Sequence, residues 1–314
     1  MSQRKSILCV GNTVIDFVTI TQSYPKEDTD RRCLDGFWQR GGNASNVCTV
    51  LRALGSKVDF FGMLSKSVAF RALIEDLRKR EIGTNHCPET EKDPPFSSII
   101  LAQDSGTRTI IHCNKNYPEP TFEDFSKINL SQYGWVHFEA RNPKEVSKMI
   151  QSIREHNKKT CQKITISLDF ETRYDQNLEL CQPCDIVVFS KELAAQKGWE
   201  SAQETVEGLA ADISGNGEKP VIICPWGSQG AVCLDATGDF HNIAAYKPEK
   251  IVDTLGAGDT FMAGLIYASF VDQRCLTDAM DFANRVAGHK ISDYGYDHIT
   301  KIIETSSRKL PTNL

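Results

Sequence analysis

No run of apolar residues in this 314-residue chain approaches the roughly 20 that a membrane-spanning helix needs. A Gly-x-x-x-x-Gly-Lys-Ser/Thr loop is also missing, which excludes the commonest phosphate-binding loop. Basic residues are scattered and outnumbered, 36 against 41 acidic ones for a net charge of −5, so no nucleic-acid surface is expected. Internal repeats and low-complexity tracts are absent. Met1–Ser6 is polar, and Ile7-Leu8-Cys9-Val10 is too short for the core of a secretion signal. A cytoplasmic location with no membrane contact is therefore expected.

Cysteine, by contrast, is plentiful. Eleven are spread through apparent strands and helices, among them Cys9, Cys48, Cys161, Cys224 and Cys275, as buried free thiols are. Cys181-Gln182-Pro183-Cys184 has a paired spacing. Zinc would need a second pair nearby and redox work a helix start, so the pair reads as structural. Hydrophobic content of 40% and charged content of 25% are those of a globular protein with ample core.

Ser6–Gly11 reads as a buried strand and Val14–Ile20 as a strand carrying Asp16. Arg31–Leu34 and Phe37–Arg40 read as short strands joined by an Asp35-Gly36 hairpin turn. Ala44–Leu54 has Val47, Val50, Leu51 and Leu54 at helical spacing and stops at Gly55. Ser97–Ala102 and Thr107–Ile111 alternate around Asp104-Ser105-Gly106, a second hairpin. From Trp135 onward, strands at 135–139, 164–168, 185–189, 221–224 and 231–234 interleave with helices at 143–156, 201–213, 258–270 and 276–291. That order predicts an α/β fold with a mostly parallel central sheet and helices on both faces. The segments at 12–40 and 96–113 do not fit that layer, and are expected to pair as a small second sheet. Residues 1–314 are read as one domain ending in a polar tail at 305–314.

One stretch carries most of the chemistry: Asp253-Thr254-Leu255-Gly256-Ala257-Gly258-Asp259-Thr260-Phe261. It is a glycine-rich turn opening into an apolar helix. A helix start leaves backbone N–H groups unpaired and carries partial positive charge. Gly256 and Gly258 let an anion approach the backbone closely. Asp259, in the first helical turn, can accept a proton from a hydroxyl. Donors for a phosphoryl group beside a base for an alcohol point to phosphoryl transfer. A second stretch, Arg40-Gly41-Gly42-Asn43-Ala44-Ser45-Asn46, leads two glycines into a helix with Asn43 and Asn46 on one face. Carboxamides both donate and accept hydrogen bonds, which suits a polyhydroxyl ligand.

The string 253–261 resembles the C-terminal signature of the ribokinase-type, or phosphofructokinase-B-type, carbohydrate kinases. The Gly-Gly-Asn-x-x-Asn stretch matches that family's sugar motif in the expected order. The resemblance implies a ribokinase-like fold whose second sheet acts as a lid, with Asp259 as catalytic base and Gly256, Ala257 and Gly258 as anion hole. Further similar stretches, including Trp38–Asn46, Arg108-Thr109-Ile110, Trp135–Glu139 and Val286-Ala287-Gly288, resemble the members that phosphorylate ketohexoses. They imply ATP-dependent conversion of D-fructose to fructose 1-phosphate. By that resemblance Asp16, Gly42, Asn43, Asn46, Arg108 and Glu139 contact the ketose, and Arg108 also steadies the transferring phosphate. Lys191, Trp226, Gly227 and Thr254 lie along the ATP site. Mg²⁺ is expected with ATP, K⁺ near the anion turn with Asp253 as a candidate for its shell, and a homodimer through the lids with Asp28 reaching the partner's site. Three departures are visible: Ser190-Lys191-Glu192-Leu193 replaces the family's Asn-x-x-Glu, Gly227-Ser228 lacks an acidic residue, and Ile291 replaces a cysteine. Another sugar or nucleoside kinase of the same fold, or a non-catalytic sugar binder, remain the alternatives.

Overall fold

The computed structural model describes residues 5–213 and 218–302; the tail expected at 305–314 lies outside them. An apolar run without alternation needs cover on both faces. Ile7–Val10 obtains it within β1 (Ser6–Val10), every residue of which is buried. Next come β2 (Val14–Thr21), β3 (Asp35–Gly41), α1 (Asn43–Ala53), β4 (Val58–Phe61), β5 (Leu64–Ser65) and α2 (Arg71–Lys79). The short β6 (Glu89–Thr90) precedes β7 (Phe96–Ala102) and β8 (Thr107–Cys113). The second half runs α3 (Phe122–Phe125), β9 (Tyr133–Glu139), α4 (Pro143–Thr160), β10 (Thr165–Phe170), α5 (Tyr174–Asn177), β11 (Ile186–Phe189) and α6 (Lys191–Gln196). It closes with α7 (Ala202–Asp212), β12 (Val221–Pro225), β13 (Ala231–Leu234), β14 (Phe240–Ile243), α8 (Ala257–Ile266) and α9 (Leu276–Lys290).

Eight strands make one sheet in the order β14-β13-β12-β11-β10-β9-β1-β4. Pairing is parallel from β12 to β4, and only β13 and β14 are antiparallel additions at one edge. Strand side chains alternate between two cores. Ile7, Cys9, Ile186 and Val188 pack on one face with Val47 of α1, Met262 of α8 and Met280 of α9. Leu8, Val10, Val187 and Phe189 pack on the other with Ile150 of α4 and Val206 of α7. The mostly parallel sheet with helices on both faces is thus present. Strand order reverses between β1 and β9, the crevice where open α/β sheets bind ligands.

The small second sheet also forms, in the order β3-β2-β7-β8. β2 pairs with β7 in parallel, so segments about 80 residues apart are joined directly, Asp16 opposite Ser97. The expected Asp35-Gly36 hairpin does not exist. Asp35 and Gly36 begin β3 and pair with Ile20 and Thr19 of β2, and residues 31–34 are not a strand. A local turn signal lost here to a seven-residue ladder with a distant partner. The inner face of this sheet buries Val18, Ile20, Ile99 and Leu101 against Leu255. Phe17, Trp38 and Ile111 remain exposed (46%, 55% and 59%). Among the described residues no helix is long and apolar enough to cross a membrane.

Candidate active site

The anion turn begins with Gly256 at φ 72°, a left-handed conformation that favours glycine. A Cβ there would sit 2.0 Å from the Tyr296 hydroxyl, whereas one at Gly258 meets nothing within 4 Å among the described residues. The turn is therefore backed by Tyr296 and open in front of Gly258, at the N-terminal end of α8, the end at which a helix offers N–H groups to an anion. The residues present fit a nucleotide phosphate. Arg108, from the lid strand β8, reaches across to this turn and its Nη1 donates to Thr254 Oγ1 at 3.3 Å. Its Nη2 lies 3.8 Å from Glu192 of α6.

Asp253 does not fit a cation site. Its Oδ2 accepts from Lys290 Nζ at 2.6 Å, its backbone oxygen from the same ammonium at 3.0 Å, and its Oδ1 from Leu255 N at 2.9 Å. Both partners of this ion pair are buried (0% and 2% exposed side chains). Lys290 already supplies the positive charge, and the carboxylate braces the anion turn from behind.

Gly42, at φ 96°, caps the start of α1. A Cβ on it would lie 2.3 Å from Asn12 O, so the Gly41-Gly42 step lets two chain segments touch. Arg40 anchors this corner through Asp76 at 2.9 Å and the Ser45 carbonyl at 2.9 Å. The two asparagines of α1 then point into the crevice. Asn46 Nδ2 donates to Asp259 Oδ2 at 2.7 Å, and its Oδ1 has no partner among the described residues. Asn43 Nδ2 donates to Asp169 Oδ2 at 3.2 Å and Glu171 Oε2 at 2.5 Å.

Glu139, at the end of β9, accepts from Asn12 N at 2.8 Å and from Arg141 Nε at 2.5 Å. It thereby ties the ends of β1 and β9 together at the strand-order reversal. Asp16 is buried on β2 against Gly41, where an added Cβ would lie 1.8 Å from its Oδ2. Burial pushes the Asp16 carboxyl up to about 6, against a hydrogen bond from Ser97 that lowers it. Asp259 is pushed up by burial first, then by the charge of Glu171, with the Asn46 bond opposing.

Asp16, Asn46, Glu139 and Asp259 thus share one charge environment, the Asp259 carboxyl feeling both Glu139 and Asp16. On the other side, Lys191 Nζ stands 4.9 Å over the ring of buried Trp226, and Gly227 at φ 61° opens a short helical turn. Ile291 offers its carbonyl to Val252 N at 2.7 Å, a backbone role that any side chain allows. Asp28 is exposed in the loop between β2 and β3. A separate cavity of about 490 Å³ lined by Trp38, Arg40, Asp76 and Tyr296 holds none of the residues predicted for the site.

Four residues of the site escaped the sequence reading: Asp169, Glu171, Arg141 and Lys290. Asp169 is the penultimate residue of β10 and Glu171 follows its end, whereas the apolar pattern of the sequence ends that strand at Leu168. An acidic residue just past a strand into a crevice was the available signal. Lys290 gave none, since a lysine in a helix's last turn is ordinarily solvated.

Known proteins match this chain along most of its length. The pfkB family carbohydrate kinase profile matches residues 4–301. Ketohexokinase of Mus musculus is 38% identical over 300 residues, covering 95% of this chain and 99% of that protein. A fructosamine kinase of Bacillus subtilis is 24% identical over 93% of this chain and 94% of its own length. Ribokinase of Cryptococcus neoformans, solved in complex with ADP, superposes with a TM-score of 0.76 at 17% identity over 98% of this chain and 100% of that one. Arabidopsis thaliana ribokinase with ribose and ATP also gives 0.76 at 17% identity, covering 96% and 98%. At those identities the likeness is one of fold.

Proposed function

The chain belongs to the pfkB family of carbohydrate kinases and transfers phosphate to a sugar, and from that premise we propose that its acceptor is D-fructose, phosphorylated at C1. The observation that carries the mechanism is the buried Asp259 carboxylate held by Asn46 directly behind the glycine turn. The likeness to mouse ketohexokinase over 95% of the chain supports the ketohexose. In this reading Asp16, Gly42, Asn43, Asn46 and Glu139 grip the sugar hydroxyls. Asp259 takes the proton from the primary hydroxyl as its oxygen attacks phosphorus. The N–H groups at Gly256–Gly258 and the Arg108 guanidinium hold the developing charge. Bound MgATP supplies the phosphoryl group and neutralises part of its charge. Lys191 and Trp226 line the nucleotide side. Arg108 links lid and body through Thr254, so the lid excludes water when shut.

A panel of acceptors tests the assignment. ADP release with MgATP is expected to be fastest on D-fructose over tagatose, ribose, glucose and adenosine, with phosphorus NMR placing the product phosphate on C1. Phosphate on C6, or faster turnover on ribose or adenosine, would move the chain to another branch of the family.

The exposed outer face of the lid sheet, with Phe17, Trp38 and Ile111, further supports a homodimer built lid to lid, in which Asp28 reaches the partner's site. Such an apolar face and the free edges of β3 and β8 need cover. Light scattering is expected to give twice the 35.1 kDa chain mass, falling to one chain with Trp38→Glu. A monomeric wild type would end the dimer proposal.

A further inference from the structure

Asn43 does not stand alone on the sugar side of the crevice. Its amide is divided between Asp169 and Glu171, and one carboxylate oxygen from each of those two residues and one from Asp259 lie within 4.8 Å of one another. Two anchored amides, Asn43 and Asn46, serve three carboxylates. Neither Asp169 nor Glu171 has a cation within ion-pair distance among the described residues, and Arg141 is spent on Glu139. Carboxylates this close and largely buried resist ionising together, which favours a proton shared within the cluster.

We infer that Asp169 and Glu171 are positioning residues for the transfer step: they clamp the Asn43 amide and hold a shared proton beside Asp259, which acts as base within a three-carboxylate cluster. This rests on the reading of Asp259 as the base. The hydrogen bonds divide the roles. Asp259 receives an amide of its own from Asn46, which favours its ionised form. Asp169 and Glu171 split one amide, so the proton resides on that pair. Burial raises all three carboxyls; the charge of Glu171 raises Asp169 and Asp259 further.

The surroundings add to the same effect. Glu139 from β9 faces all three carboxyls, and Asp16 from β2 faces Asp259. Glu192 from α6 faces Glu171. Positive charge comes from Arg141 near Glu171 and Lys290 of α9 near Asp259, while buried Tyr296 also feels Asp259. No nearby cation is paired to Asp169 or Glu171 among the described residues, so the proton balance of the site depends on these two.

The test is the pH profile of kcat/KM for fructose in wild type, Glu171→Gln, Asp169→Asn and the Asp169→Asn/Glu171→Gln double variant, with thermal melts to establish folding. Each amide keeps side-chain size and one oxygen to accept from Asn43. Either single amide leaves the pair with one negative charge, as the shared proton does. The double variant removes that charge and should let Asp259 ionise at lower pH, moving the acid limb down by about one pH unit. Loosening of Asn43 should raise KM for the sugar more than it lowers kcat. An unmoved limb in the folded double variant, with turnover lower by one factor at every pH, would overturn the inference in favour of a purely structural role. Failure of all three variants to fold would also count against it, since packing is preserved. Turnover surviving removal of Asp259 would instead sink the underlying base assignment, whatever the limbs do.

Discussion

Asp259→Asn is expected to lower kcat by a factor of about 10² to 10⁴, the usual contribution of a positioned general base, while fructose still binds. Asparagine matches the carboxylate in size and can accept the Asn46 amide through its remaining oxygen. The fold should therefore survive and the lost rate report chemistry. The substitution should also stabilise the protein at neutral and higher pH. The folded-state pKa of Asp259 is raised above its unfolded value by burial and by Glu171. Its contribution to stability is then fully present below the ordinary carboxylate range and is lost as pH rises through the folded value. Asparagine does not ionise, so that loss disappears. Melting temperature in the variant should equal or exceed wild type at pH 8, with the difference closing toward pH 4. Turnover within tenfold of wild type would remove Asp259 as the base. A lower melting temperature at pH 8 would show that its charge is better compensated than the geometry implies. Such a gain in stability on losing activity is expected where a site gathers like charges.

Lys290→Met carries the largest expected loss of stability. It strands the Asp253 carboxylate with 2% exposure and no counter-charge. Removing one partner of a buried ion pair typically costs about 3–5 kcal/mol, because the remaining charge stays buried. The ammonium also holds the Asp253 carbonyl, and Asp253 in turn holds Leu255 N. Loss of the lysine should therefore slacken the turn that presents Gly256–Gly258, and kcat should fall with stability. Asp253→Asn combined with Lys290→Met should recover part of the loss, since no stranded charge remains. Urea unfolding of both single variants and the pair measures the coupling. A loss below about 1 kcal/mol for Lys290→Met would mean that water or another cation reaches Asp253.

The parts of this protein that its sequence determined are those whose cause lies within a few residues. Gly256 and Gly42 adopt positive φ because the chain must turn into a helix there, and glycine followed by an apolar helical stripe is readable locally. The same holds for the alternation of strands and helices and for the α1 face that carries Asn43 and Asn46. Together these were sufficient for the α/β layers, the second sheet and the position of Asp259.

Tertiary structure decided the matters in which a residue's partner is distant in sequence. Asp35-Gly36 has the composition of a hairpin turn, yet β2 captures it as a strand end. Asp253 looks like a ligand for a mobile cation until Lys290, 37 positions on, is folded onto it. Asp169 and Glu171 acquire meaning only when α1 brings Asn43 across 126 and 128 positions. Burial and charge pairing are properties of what surrounds a side chain in space. No local pattern encodes them, and they set which buried carboxylates meet a counter-charge, as Asp253 does, and which meet only amides and one another, as Asp169 and Glu171 do.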